Sequence, residues 1–132
     1  MPSDRRTIQD LLAAARARIH RLTPEQALTA QGGGAVIIDI RTESQRAAQG
    51  TVPGAVWFPR NVLEWRVDPS SPAADPRTSD LARELLVLCD GGYQSSLAAA
   101  ALRDLGARRA GDVIGGFQAW RAAGLPVEPA QR

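Results

Sequence analysis

Leu85-Leu86-Val87-Leu88-Cys89-Asp90-Gly91-Gly92-Tyr93-Gln94-Ser95-Ser96-Leu97-Ala98-Ala99-Ala100-Ala101-Leu102 is the stretch that decides the fold. The short apolar run Leu85 to Leu88 reads as a buried strand. Cys89 ends that run, a loop with two glycines follows, and the alanine-rich run reads as a helix over 96–105. Strand, thiol, glycine loop and helix N-terminus form an anion-binding geometry. Backbone N–H groups and the helix dipole converge on whatever approaches the sulfur. The same groups favour the thiolate, which is the reactive form. A lone cysteine at a strand end is ordinarily core filler, because free Cys is among the most buried residue types. The Gly91-Gly92 pair argues for more than filler. Glycines let the backbone bend with its N–H groups facing inward, and a structural cysteine needs no such loop.

Working outward, Ala35-Val36-Ile37-Ile38-Asp39-Ile40 is a β-branched run typical of a strand covered on both faces. Ala55-Val56-Trp57-Phe58 and Asp112-Val113-Ile114 read as further strands. Thr23-Pro24-Glu25-Gln26 has the form of a helix start, with Thr as N-cap and Pro at the first helical position. That helix runs to Gly32-Gly33-Gly34. Thr42 to Ala48 reads as a short helix closed by Gly50, and Phe117 to Ala123 as a last helix stopped by Gly124 and Pro126. Ile8, Leu11, Leu12, Ala15, Ile19 and Leu22 recur at helical spacing and predict an amphipathic helix over 7–20. Its apolar stripe is expected to pack on the domain, with a homodimer through this helix as the alternative. Residues 68–77 read as loop, and the segment holding Trp65 as loop-like. The expected organisation is an N-terminal helical extension over 1–21, one domain over 22–129 and a tail over 130–132.

Alternating strands and helices predict an α/β fold: a central parallel sheet of about five strands with helices on both faces. Ligands in such sheets bind beyond the carboxyl ends of the strands. Cys89 lies at such an end, and so do Asp39, Ile40 and Arg41, and Pro59 and Arg60. These segments can share one rim.

The chain has 132 residues, enough for one domain and too few for two. With 44% hydrophobic and 23% charged residues it has the profile of a globular protein. No apolar stretch approaches membrane-spanning length, so no membrane partner is expected. The start of the chain lacks a signal-peptide pattern. A single cysteine excludes an intramolecular disulfide and any multi-cysteine zinc site, and no metal or cofactor is expected. These features predict a cytoplasmic protein. The net charge is +2, all basic residues are arginine, and the excess lies within residues 1–34. So small an excess is no nucleic-acid footprint, which needs a clustered basic face.

Five segments together resemble the rhodanese-like family of sulfurtransferases, in a single-domain form. They are Leu22-Thr23-Pro24-Glu25; Ile38-Asp39-Ile40-Arg41, similar to the family's Asp-Val-Arg; Gly50-Thr51-Val52-Pro53-Gly54-Ala55, similar to Gly-His-Ile-Pro-Gly-Ala; the Cys89 loop; and Gly115-Gly116-Phe117-Gln118-Ala119-Trp120 with Gly124-Leu125-Pro126-Val127. The resemblance runs from about Leu22 to Pro129. Residues 60–66 are similar to a subgroup found in high-GC bacteria. The resemblance implies that Cys89 takes a sulfane sulfur from a small anionic donor, thiosulfate-like or mercaptopyruvate-like, and becomes a persulfide. Cyanide or a protein or small-molecule thiol then accepts the sulfur. It implies a substrate loop of Asp90, Gly91, Gly92, Tyr93, Gln94 and Ser95.

Three departures qualify this. Gln94 stands where many family loops carry arginine, which removes a charge that would bind a dianion. Asp90 adds a negative charge beside the thiol unless it points away. Thr51 replaces the usual histidine. Arg60 or Arg66, reaching over the pocket, is a candidate for the missing cation. Asp39 and Arg41 are expected to pair and fix the sheet rim. Ser95 is expected to cap the following helix. Trp57, Trp65 and Trp120 are expected to pack, and His20 to lie on the surface ahead of the domain. A phosphatase loop needs arginine six residues after its cysteine, and Ser95 occupies that position. Two function classes remain: a persulfide-forming sulfurtransferase, and a binding or regulatory module built on the same fold.

Overall fold

The central strand of the computed structural model is Leu85–Leu88 (β4), and all four of its residues are buried. The structure describes residues 4–130. Residues 1–3 of the expected extension and 131–132 of the expected tail lie outside the described residues. Five strands form one sheet in the order β1-β5-β4-β2-β3, every pairing parallel. The others are His20–Leu22 (β1), Val36–Asp39 (β2), Val56–Trp57 (β3) and Ala110–Val113 (β5). The register pairs Asp39 with Leu88 and Asp112 with Val87. Asp39, Cys89 and Asp112 therefore gather at the carboxyl end of three adjacent strands.

Successive side chains of a strand point to opposite faces, and each face of this sheet carries its own core. Leu85, Val87 and Cys89 face a cluster built with Ala15 and Ile19, with Leu63 and Val67, and with Ala98, Ala99 and Leu102. Those residues come from helix Ile8–Ala17 (α1) and the turn that follows it, from Leu63–Val67 (α4) and from Gln94–Asp104 (α5). Leu86 and Leu88 face Ala27 of Pro24–Gly32 (α2) and Phe117 and Trp120 of Gly116–Ala122 (α6). Helix Glu43–Gln49 (α3) has no buried residue and connects β2 to β3 at the rim. Thr7, Thr23 and Thr42 each close a capping box, with Asp10, Gln26 and Gln45 respectively. Each box satisfies amide hydrogens that a helix start leaves without partners.

Several expectations change. The helix expected over 7–20 stops at Ala17, and His20–Leu22 forms an edge strand beside β5. Gly111 permits this pairing, because a Cβ there would collide with the His20 carbonyl. His20 is thus no residue ahead of the domain: its ring meets Glu84 at 3.2 Å and Arg103 at 3.1 Å. The segment around Trp65 is a short 3-10 turn at Arg60–Val62 followed by α4. That helix buries Leu63 and Val67 and turns Trp65 outward, so Trp65 is not a packing residue; it is 59% exposed. The stripe of α1 divides: Leu12 and Ala15 are buried, while Ile8 and Leu11 remain outside.

Candidate active site

Cys89 leaves the end of β4 with its backbone held from behind. Its carbonyl accepts the Phe117 amide at 2.8 Å, and the Asp90 carbonyl accepts the Gln118 amide at 3.1 Å. The first turn of α6 thereby uses its free amide hydrogens to anchor the loop. Gly116 makes the approach possible, since a Cβ there would strike the Cys89 and Asp90 carbonyls. The loop then turns at Gly92, whose φ of +86° belongs to the left-handed region that favours glycine. This turn aims the Gly92 N–H at the Cys89 Sγ, 3.1 Å away. The Ser95 N–H, in the first turn of α5, points at the same sulfur from 3.4 Å. Cys89 is 7% exposed and lines a cleft of about 250 Å³. One wall is Ile40, Arg41, Thr42 and Gln45; the other is Asp90, Gly91, Tyr93 and Gln94.

Asp90 turns its carboxylate to Gln118, whose Nε2 donates to Oδ1 at 2.8 Å. Gln94 is at the mouth, and its Oε1 accepts from Arg60 Nε at 3.1 Å. Arg60 also pairs with Glu64 at 2.8 Å, so its charge is shared. Arg66 is directed elsewhere: its guanidinium donates to the Ala73 carbonyl at 3.1 Å and lies 5.9 Å from the Phe58 ring centre. Of the two arginines considered for the missing cation, the structure brings Arg60 to the loop and leaves Arg66 away from it. Tyr93 stands at the mouth, 64% exposed.

Asp39 and Arg41 form a buried pair at 2.8 Å. Arg41 also donates to the Gly50 carbonyl at 2.8 Å and sits 3.8 Å above the Phe117 ring. A guanidinium so fully engaged holds the rim of the cleft together. Ser95 does not cap α5. Its hydroxyl donates to Asp112 Oδ2 at 2.8 Å, because a carboxylate that is fully buried needs donors more than the helix start does.

Several site residues had no individual signal in the sequence. Arg16 and Arg21 both donate to the Gly92 carbonyl, at 2.9 and 3.0 Å. Asp112, Gln118 and Gln45 also belong to the site or its support. The Gly115-Gly116 pair was visible as a motif, and its role behind the loop becomes clear only when α6 is placed.

A thiol at the carboxyl edge of a parallel sheet, faced by two loop amides, defines a cysteine-loop α/β protein. The rhodanese-like domain family model matches residues 23–123, and the chain belongs to that family. It is 38% identical over 111 residues to the thiosulfate sulfurtransferase GlpE of Pseudomonas entomophila, covering 84% of this chain and 92% of the relative. A similar protein from Pseudomonas putida F1 is 39% identical over 112 residues, again with 84% and 92% covered. Kinship of this degree and extent makes the chain an enzyme of the rhodanese-type sulfurtransferase class. Among solved structures, a Rhodopseudomonas palustris protein described as of unknown function and a possible tyrosine phosphatase superimposes with a TM-score of 0.86 at 36% identity. It covers 97% of this chain and 99% of its own, so it shares the N-terminal extension. The human single-domain sulfurtransferase TSTD1 superimposes with a TM-score of 0.63 at 27% identity, covering 80% and 96%.

Proposed function

We propose that the protein moves sulfane sulfur through a persulfide on Cys89. The observation that carries this reading is the pair of amide hydrogens aimed at Sγ from Gly92 and Ser95. They stabilise negative charge on the sulfur before attack and on the persulfide after it. With thiosulfate as donor, the Cys89 thiolate attacks the outer sulfur. A new S–S bond forms at Sγ, the old one breaks, and its electron pair leaves on sulfite. Cyanide or a thiolate then attacks the terminal sulfur, and Cys89 leaves as thiolate again. With a mercaptopyruvate-like donor the thiolate attacks the donor's thiol sulfur, the C–S bond breaks, and its electron pair leaves on the enolate of pyruvate, which then takes a proton. The Asp90 carboxylate is held by the Gln118 amide, which eases one of the two objections to an anionic donor. The other remains: Gln94 is uncharged, and the cation beside it is Arg60, shared with Glu64. This favours donors with less charge than thiosulfate. The free thiol this chemistry needs fits a reducing compartment such as the cytoplasm.

A phosphatase role, raised for the Rhodopseudomonas protein, is not favoured here. A phosphate-binding loop needs a cation at the position of Ser95, and the Ser95 hydroxyl is committed to Asp112. The test is thiocyanate formation from thiosulfate or mercaptopyruvate and cyanide. The wild type is expected to turn over and Cys89→Ser to show none. Equal rates in the two proteins would remove the persulfide reading and leave a binding module.

A further inference from the structure

We propose that Arg16 and Arg21 are positioning residues for the Cys89 loop, so that the segment ahead of the matched domain is part of the catalytic machinery. Both lie before residue 23, where the family match begins. Arg16 comes from the last turn of α1, and Arg21 from the middle of β1. Their Nη2 atoms donate to one acceptor, the Gly92 carbonyl, at 2.9 and 3.0 Å. Gly92 is the residue whose own N–H faces Sγ.

Two cations on a single carbonyl is a costly arrangement, which the buried Asp112 carboxylate beside them offsets. Arg21 forks onto Asp112, with Nε at 2.9 Å from Oδ1 and Nη2 at 3.3 Å from Oδ2. Arg16 Nε donates to Ser96 Oγ at 3.1 Å, and Ser96 Oγ donates to Asp112 Oδ2 at 2.8 Å. Ser95 Oγ donates to the same Oδ2 at 2.8 Å. The fully buried Asp112 carboxylate thus binds together α1, β1 and the first turn of α5. Both amides that face the sulfur, those of Gly92 and Ser95, belong to residues gripped by this network.

The reason for the grip lies in Gly92 itself. Glycine turns its peptide planes freely, which lets the loop form but does not hold it formed. If the Gly92–Tyr93 peptide rotated, the carbonyl dipole could swing its negative end toward the sulfur. Two guanidinium donors on the α5–β5 side of the loop fix that carbonyl away from such a swing. The gain is orientation, not contact: neither arginine is asked to touch the donor.

This inference rests on the sulfur-transfer reading, and its test separates the two. Single-turnover loading of Cys89 by thiosulfate is followed by intact-protein mass across donor concentrations. In Arg16→Met, which keeps the aliphatic stem and removes the donors, the maximal loading rate is expected to fall ~10- to 100-fold. The half-saturating thiosulfate concentration should stay within about twofold of wild type, since the arginine does not meet the donor. Arg16→Lys, with the charge and one donor restored, should recover a large part of the rate, and Arg66→Ala should match wild type. An Arg16→Met variant that loads at the wild-type rate overturns the proposal. If the wild type takes up no sulfur, the sulfur-transfer reading fails, and amide hydrogen exchange at Gly92 decides the clamp. Faster exchange at Gly92 in Arg16→Met supports it, and equal exchange overturns it. Arg21→Ala strips a buried carboxylate of its partner and risks unfolding, so Arg16 carries the test.

Discussion

Around Cys89 the outcome depends on where a few charges point. Asp90 sits next to the thiol in sequence yet spends its carboxylate on Gln118. Gln94 accepts from Arg60 instead of offering a charge of its own. Gln94→Arg is therefore expected to lower the KM for thiosulfate about three- to tenfold, the scale of one exposed charge-assisted contact to a dianion. Initial-rate kinetics with thiosulfate and mercaptopyruvate side by side check this, with the larger change for thiosulfate. A KM unchanged for both would mean that the mouth of the cleft does not bind the donor. Cys89 and the loop after it were legible in the sequence because a strand, a thiol and two glycines leave a local pattern. The partners of Ser95, Arg16 and Arg21 were not. Asp112 is 17 residues beyond Ser95 and 91 beyond Arg21, and no periodicity links them. In a chain whose basic residues are all arginine, two half-buried ones carry no mark.

Among the elements, the loop from Cys89 to Gln94 is held between α5 and the start of α6. Gly92 is a tight point of this sandwich: it has φ +86°, and a Cβ would lie 2.6 Å from the Gly115 amide nitrogen. Gly92→Ala is expected to cost about 2–3 kcal/mol, from backbone strain and the forced separation of loop and α6. Differential scanning calorimetry should then show a Tm lower by roughly 5–10 °C. Sulfur transfer should fall further than stability accounts for, because the amide facing Sγ moves. A Tm within a degree of wild type would contradict the described turn. β2, β4, α2 and α3 were legible because continuous apolar runs and Thr caps are local signals. β1 was not. It has three residues, two of them polar, and exists because Gly111 lets it approach β5. α4 was missed for a related reason: five residues are too few to display a helical period.

For the molecule as a whole, the N-terminal segment is bound into the domain twice. Leu12 is buried, Ala15 packs into the core on the α5 side of the sheet, and Arg16 and Arg21 reach the Cys89 loop. The amphipathic pattern of α1 was visible in the sequence, and its inward half packs on the domain. What that packing delivers to the loop depends on tertiary placement that composition and spacing do not encode. Among the described residues no helix is long and apolar enough to cross a membrane. The central claim concerns one atom, the Cys89 sulfur in its amide nest. The most direct measurement is the intact mass of the protein after incubation with thiosulfate, mercaptopyruvate or a glutathione persulfide, before any acceptor is added. The structure predicts a gain of one sulfur atom on the Cys89 peptide, lost again on adding cyanide and absent in Cys89→Ser. A wild-type mass unchanged with all three donors would contradict it.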